Sequence, residues 1–270
     1  MKFNVLPLIF ILLSNIAIAQ QSTKTVTIKG GKYIPLYGTD SSIVTVKDFH
    51  MDIHPVTHQQ YLDFVIANPK WKKTKVTRLF ADKSYLMDWT SDTTFSNTIS
   101  NSPVNTVSWY AAKAYCEYVG KRLPTVDEWE YVAMADETKK DARVDSLYNQ
   151  KILSSYETPK TYLKQVGKTN KNIWGVYDLH GLVWEWTLDF NSILISGESR
   201  KDVDTDRNLF CAGGAVGAKD LMNYAAFMRY AFRGSLKANL TKCLFFNYLP
   251  LGKLKTMKRL NLKIFKAKCW

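Results

Sequence analysis

The pattern of apolar and polar positions divides the chain into a strand-rich start, a helical middle and an irregular aromatic segment. Thr25 to Gly31 and Ile43 to Val46 alternate β-branched and polar residues, as half-buried strands do. Thr57-His58-Gln59-Gln60 has the form of a capping box, in which the Thr hydroxyl accepts from the third amide and the Gln side chain reaches back. Behind it Tyr61, Phe64 and Val65 fall at i, i+3 and i+4, which predicts a helix to about Ala67, stopped by Asn68-Pro69. A second helix is predicted from Ser108, with Trp109, Ala112, Tyr115, Cys116 and Val119 on one face and Gly120 closing it. Thr125-Val126-Asp127-Glu128 is another capping box and opens a third helix with Trp129, Val132 and Ala133 inward. Residues 70 to 102 and Asp136 to Asn172 read as irregular and loop-like. Trp174 to Phe190 carries three Trp and two Gly, too crowded and too Gly-rich for a helix. The whole predicts one α+β domain over residues 20–240.

Composition adds a leader and a tail. A short charged start, an apolar run from Val5 to Leu13 and Ala17-Ile18-Ala19 match a secretory signal peptide over residues 1–19. The run is too short for a membrane span, and no cysteine follows it to carry a lipid. The expected location is therefore periplasmic or secreted. The formal charge of +13 suggests nucleic acid until it is located: residues 241–270 hold eight Lys/Arg and no acid, and residues 20–240 hold 28 basic against 24 acidic residues. No nucleic-acid partner is expected for the domain. The basic tail could touch an anionic surface, or it could record a shifted reading frame. Cys116, Cys211, Cys243 and Cys269 show no C-x-x-C spacing. One disulfide is allowed in an exported chain, and Cys116, on a predicted helix, reads as a small buried apolar residue.

Three stretches carry a resemblance. Val107-Ser108-Trp109-Tyr110-Ala111-Ala112-Lys113-Ala114-Tyr115-Cys116 is followed by Gly120-Lys121-Arg122-Leu123-Pro124-Thr125 and by Glu128-Trp129-Glu130-Tyr131. Trp174-Gly175-Val176-Tyr177-Asp178-Leu179-His180-Gly181-Leu182-Val183-Trp184-Glu185-Trp186 comes next, and Pro55-Val56-Thr57 precedes them all. In this order the chain resembles the formylglycine-generating enzyme (sulfatase-modifying factor) family over roughly residues 45 to 235. The resemblance implies a C-type-lectin-like fold with little regular secondary structure. It also implies structural calcium, carried onto Asp178 and Glu185 as carboxylates and onto Gly181 and Val183 as carbonyls. A hard cation prefers oxygen, and a Gly-rich loop can turn its carbonyls inward. The bland alternative is that the two carboxylates hydrogen-bond loop amides.

The resemblance breaks where the family does its chemistry. The founding enzyme oxidises a sulfatase cysteine with copper(I) held by two thiolates, which suit a soft ion. Aligned from the Arg-rich end those positions fall on Asp220 and Ala225, and aligned from Gly213-Gly214 the first falls on Ala218. No thiol appears either way, so copper is not expected. Iron is not expected either, because the iron ligands of the ergothioneine-type relatives come from a further helical domain. His50, His54 and His58 are spaced by four, but Pro55 interrupts the helix that would align them as metal ligands. His180, inside the Trp loop, reads as structural. Trp184, Tyr224, Arg229 and Arg233 make a candidate binding inventory for a peptide or an anionic group; equally, the Trp residues could be core and the Arg residues ion-paired. Three functions stay open: an accessory or binding module for a peptide or protein client in maturation of a secreted protein or metalloenzyme, a metal-dependent oxidoreductase with other ligands, and a structural part of a bacterial surface or gliding machinery.

Overall fold

The computed structural model describes residues 23–35, 43–189, 238–239, 241 and 265–266. The described residues begin with a long, bent hairpin. Strand β1 (Thr25–Ile28) pairs antiparallel with β4 (Phe49–Asp52), and β2 (Gly31–Tyr33) pairs with β3 (Val44–Val46). Both pairs keep one register, so the predicted strand 25–31 is a single ladder interrupted at Lys29-Gly30. The interruption has a steric cause. A Cβ on Gly30 would lie 2.2 Å from the Val46 carbonyl oxygen, so only glycine allows the two backbones to approach this closely. The Gly30 N–H instead donates to Asp48 Oδ1 at 2.8 Å, and Lys29 closes an exposed ion pair on the same carboxylate.

Helices α1 (His58–Ala67), α2 (Trp109–Tyr118) and α3 (Val126–Ala133) start where their caps predict. Both capping boxes are formed, on Thr57 with Gln60 and on Thr125 with Glu128. Ser108 caps α2, and Gly120, at φ 71°, lets the chain turn left-handed beyond it. Asp136 to Asn172 is not all loop: Ser146–Glu157 forms α4, capped by the Asp145 carboxylate. Its apolar stripe is narrow. Tyr148 and Ile152, one turn apart, are buried with Ala142 in a small third cluster, while Leu147 faces outward. Such a helix lacks the wide apolar face that periodicity detects. The only strand in the Trp-rich segment is β5 (Trp184–Glu185), whose backbone pairs in parallel with β6 (Phe265–Lys266) from the basic tail. The architecture is therefore α+β, with three two-stranded sheets among the described residues. No helix among them is long and apolar enough to cross a membrane.

Two main clusters form the interior. The first packs α1 and α2 against the turns of residues 71–89 and takes in Trp184 and Trp186. The second packs the hairpin against α3, Val176 and Leu179. In the first, the Tyr61 and Tyr85 hydroxyls bond each other at 2.9 Å and Tyr85 donates to the Trp71 carbonyl, so two buried phenols meet their polar needs without water. Cys116 lies in the same cluster, wholly buried, and is disulfide-bonded rather than a free apolar thiol. Its partner cysteine lies outside the described residues.

The three spaced histidines do not converge. His50 sits on β4 beside Thr27, the His54 Nδ1 bonds the Pro55 carbonyl, and His58 is buried at the start of α1. His58 Nδ1 accepts the Trp89 indole N–H at 2.8 Å, and its ring lies 5.3 Å from that of Phe95. Burial lowers its pKa from 6.5 to about 4. The unfolded chain therefore binds a proton near pH 6.5 that the folded chain resists until about pH 4, so stability falls as pH drops through that window. Unfolding free energies from urea titrations at pH 7 and pH 4.5 should differ by about 2 to 3 kcal/mol more in the wild type than in His58→Gln. Equal losses in the two proteins would show that His58 is not the titrating group.

Candidate functional site

The Trp-rich segment is organised from its first residue. The Asn172 side chain accepts from the Trp174 and Val176 amides, both at 3.1 Å, and donates to the Val132 carbonyl of α3. Asp178 follows at φ 61° and is almost fully buried. Its Oδ2 accepts the Gly167 N–H at 2.6 Å and its Oδ1 accepts the Thr169 hydroxyl at 2.5 Å. Both oxygens thus face the 167–169 turn and hold it against the loop.

Gly181 is the next constraint. At φ 108° it adopts a conformation that side chains rarely tolerate, and a Cβ there would meet Ser155 of α4 at 2.8 Å. Beyond it the chain passes into the interior. Val183, Trp184, Glu185 and Trp186 are each at most 5% exposed. The Glu185 Oε2 accepts the Trp129 indole N–H at 2.6 Å. The Trp186 indole donates to the Val107 carbonyl, and the Trp109 indole donates to the Thr187 carbonyl, both at 2.9 Å. Two further bonds, Leu188 N–H to the Pro124 carbonyl and Val126 N–H to Asp189, fasten the exit of the segment to the start of α3.

His180 stands between these groups. Its Nε2 donates to the Ala133 carbonyl at 2.9 Å and lies 3.0 Å from the Tyr148 hydroxyl, while its ring edge meets Trp129. A nitrogen held this way orients α4 and α3 rather than serving as a general base. A cavity of about 290 Å³ lies between α4 and residues 161–182, with Lys151, Lys164, Asp178 and His180 in its wall. Its volume is at the lower end for small-ligand pockets, and Lys151 is ion-paired with Glu137.

Of the expected binding residues, Trp184 is in the first core cluster and presents no surface to a ligand, as a core aromatic does. Tyr224, Arg229 and Arg233 lie outside the described residues, as do the aligned positions of the copper thiolates.

The four expected calcium ligands do not behave alike. Asp178 is engaged by the 167–169 turn through both oxygens. Gly181 and Val183 are buried, and neither carbonyl accepts in the turn and loop hydrogen bonds of the described residues. Glu185 is buried and its carboxylate accepts the Trp129 indole N–H. Among the described residues no three His, Cys, Asp or Glu side chains gather into a metal cluster. Trp129, Asn172 and Thr169 were not signalled as site residues by spacing; each acts through a partner distant in sequence or in an irregular turn.

The chain is 28% identical over 217 residues to the inactive C-alpha-formylglycine-generating enzyme 2 of Bos taurus, covering 62% of this chain and 71% of that protein. It is 34% identical over 104 residues to the formylglycine-generating enzyme of Mus musculus, covering 34% of this chain and 28% of that one. It is also 26% identical over 180 residues to the serine/threonine-protein kinase pkn1 of Chlamydia caviae, where the match covers 62% of this chain and only 28% of the relative's length. The sequence profile of the sulfatase-modifying factor enzyme 1-like domain matches residues 14–242. The chain belongs to the sulfatase-modifying factor enzyme 1-like, or formylglycine-generating-enzyme, family.

Proposed function

We propose that the protein is an exported, calcium-stabilised member of this family that binds a peptide or protein client and assists the maturation of another secreted protein or metalloenzyme, without copper oxidase chemistry. One observation carries the reading. No cysteine occurs between Cys211 and Cys243, the stretch in which the family's two copper thiolates are expected. Copper(I) needs soft ligands to be held in low coordination, and Asp, Ala and backbone oxygens are hard. Of the remaining thiols, Cys116 is sealed in a disulfide. Similarity to a relative named as inactive, over 71% of that relative's length, supports the same direction. A disulfide inside the core suits an oxidising compartment and supports the reading of residues 1–19 as an export signal. The family relationship supports a C-type-lectin-like arrangement, a scaffold that holds partners on irregular surfaces.

The calcium belongs at Glu185 with the Gly181 and Val183 carbonyls. When bound it supplies positive charge and fixed coordination to a segment with little secondary structure of its own. Glu185 in turn holds the Trp129 indole, so the ion's effect reaches α3.

Two experiments test these statements. Purified protein supplied with copper(I), oxygen and a cysteine-bearing sulfatase peptide should leave the thiol intact, with no aldehyde captured by a hydrazide probe. Steady aldehyde formation under turnover would overturn the non-oxidase reading. Removing calcium with a chelator should lower the melting temperature by about 5 to 10 °C relative to protein held at a hundredfold excess over Kd. Calcium, and not magnesium, should restore it. Glu185→Gln should melt at one temperature with or without the chelator; an undiminished calcium response in that variant would remove Glu185 from the site.

A further inference from the structure

Residues 70–83 read Lys-Trp-Lys-Lys-Thr-Lys-Val-Thr-Arg-Leu-Phe-Ala-Asp-Lys, with six cations and one acid. The segment folds as successive turns, closed by Lys75 N–H and Val76 N–H on the Lys72 carbonyl and by Phe80 N–H and Ala81 N–H on the Thr77 carbonyl. Trp71, Ala81, Tyr85 and Leu86 anchor these turns in the first core cluster. The Asp82 N–H donates to the Asn239 carbonyl, and its carboxylate accepts from Thr241. The turns are therefore held in shape from below, and what they display is fixed.

What they display is positive and apolar together. Lys70, Lys75, Arg78 and Lys83 are exposed, and among the described residues no cation of the segment lies within ion-pair distance of a carboxylate. Lys73 alone is tied, by its ammonium to the Trp89 carbonyl. The single acid, Asp82, is occupied by Thr241 and the Ser84 amide, and nearby Asp92 accepts from Thr74. Between the cations Leu79 stands 71% exposed and Phe80 41% exposed, the Phe80 ring resting edge-on against Trp71 and Tyr110. A solvated charged face does not need Leu and Phe at its tip. A surface that meets lipid does, because apolar side chains enter the acyl boundary while flanking cations contact acidic headgroups.

We propose that the turns of residues 70–83 dock the protein on an anionic phospholipid surface, with Leu79 and Phe80 inserted and Lys72, Lys75 and Arg78 on the headgroups. None of these residues belongs to the Trp-rich segment or to the basic tail.

The test is co-sedimentation of the full chain with vesicles of phosphatidylcholine alone and of an equimolar phosphatidylcholine–phosphatidylglycerol mixture. Binding should favour the mixed vesicles and weaken as salt is raised. The triple variant Lys72→Glu, Lys75→Glu, Arg78→Glu, with leader and tail unchanged, should bind the mixed vesicles about a hundredfold more weakly. Leu79→Ser, which leaves every charge in place and touches no buried residue, should bind roughly tenfold more weakly. Melting curves matching the wild type confirm that both variants fold. Undiminished binding by the triple variant would overturn the proposal and assign vesicle binding to the leader or tail. Loss on charge reversal with no effect of Leu79→Ser, and equal affinity for a soluble polyglutamate peptide, would also overturn it and mark an acidic protein as the partner.

Discussion

Three indole N–H groups decide how this fold holds together. Trp129 donates to Glu185, Trp186 to the Val107 carbonyl and Trp109 to the Thr187 carbonyl. Between them they tie three consecutive residues, 185 to 187, to α2, α3 and Val107 just ahead of the α2 cap. An indole is a large apolar body with one donor, so a buried Trp is stable only where an acceptor waits at a definite place. Each of these bonds therefore fixes position as well as satisfying a polar atom. Because Trp184 and Trp186 pack in one core cluster and Trp129 in the other, the bond from Trp129 to Glu185 joins the two clusters.

The arrangement explains why so little regular structure suffices. The hairpin, the three capped helices and α4 make few direct contacts through regular ladders; irregular turns carried on side-chain hydrogen bonds connect them. Asn172 and Asp178 do for residues 167–178 what a sheet would do elsewhere, supplying acceptors to amides that have no strand partner. The cost is a set of buried carboxylates and positive φ angles that must be held by neighbours. Charge is divided in the same spirit: buried acids are engaged by neighbours, and the cations on the turns of residues 70–83 make no ion pair among the described residues.

Much of this was legible in the sequence where the determinant was local. The caps on Thr57, Ser108 and Thr125 are read from four consecutive residues, and all three helices begin there. Helix α4 was not legible because its burial depends on only Tyr148 and Ile152, and its Asp145 cap lies in a polar stretch that resembles a loop. The bend at Lys29-Gly30 depends on the approach of Val46 from the opposite strand, which no local pattern encodes. The same limit applies to the site. Family motifs singled out Asp178 and Glu185, yet only contacts with Gly167, Thr169 and Trp129 separate a carboxylate that organises a turn from one that holds an indole of α3. Trp184 shows the converse, an aromatic suited to a ligand platform that the fold places in the core. Cys116 reads as an apolar helix residue, and its pairing depends on a cysteine far along the chain.

The most direct measurement is the metal content of the purified protein by plasma mass spectrometry, before and after dialysis against a chelator. The account predicts about one calcium per chain, removed by the chelator, with neither copper nor iron in stoichiometric amount. Stoichiometric copper or iron that survives dialysis, or a folded protein that never carries calcium, would contradict it.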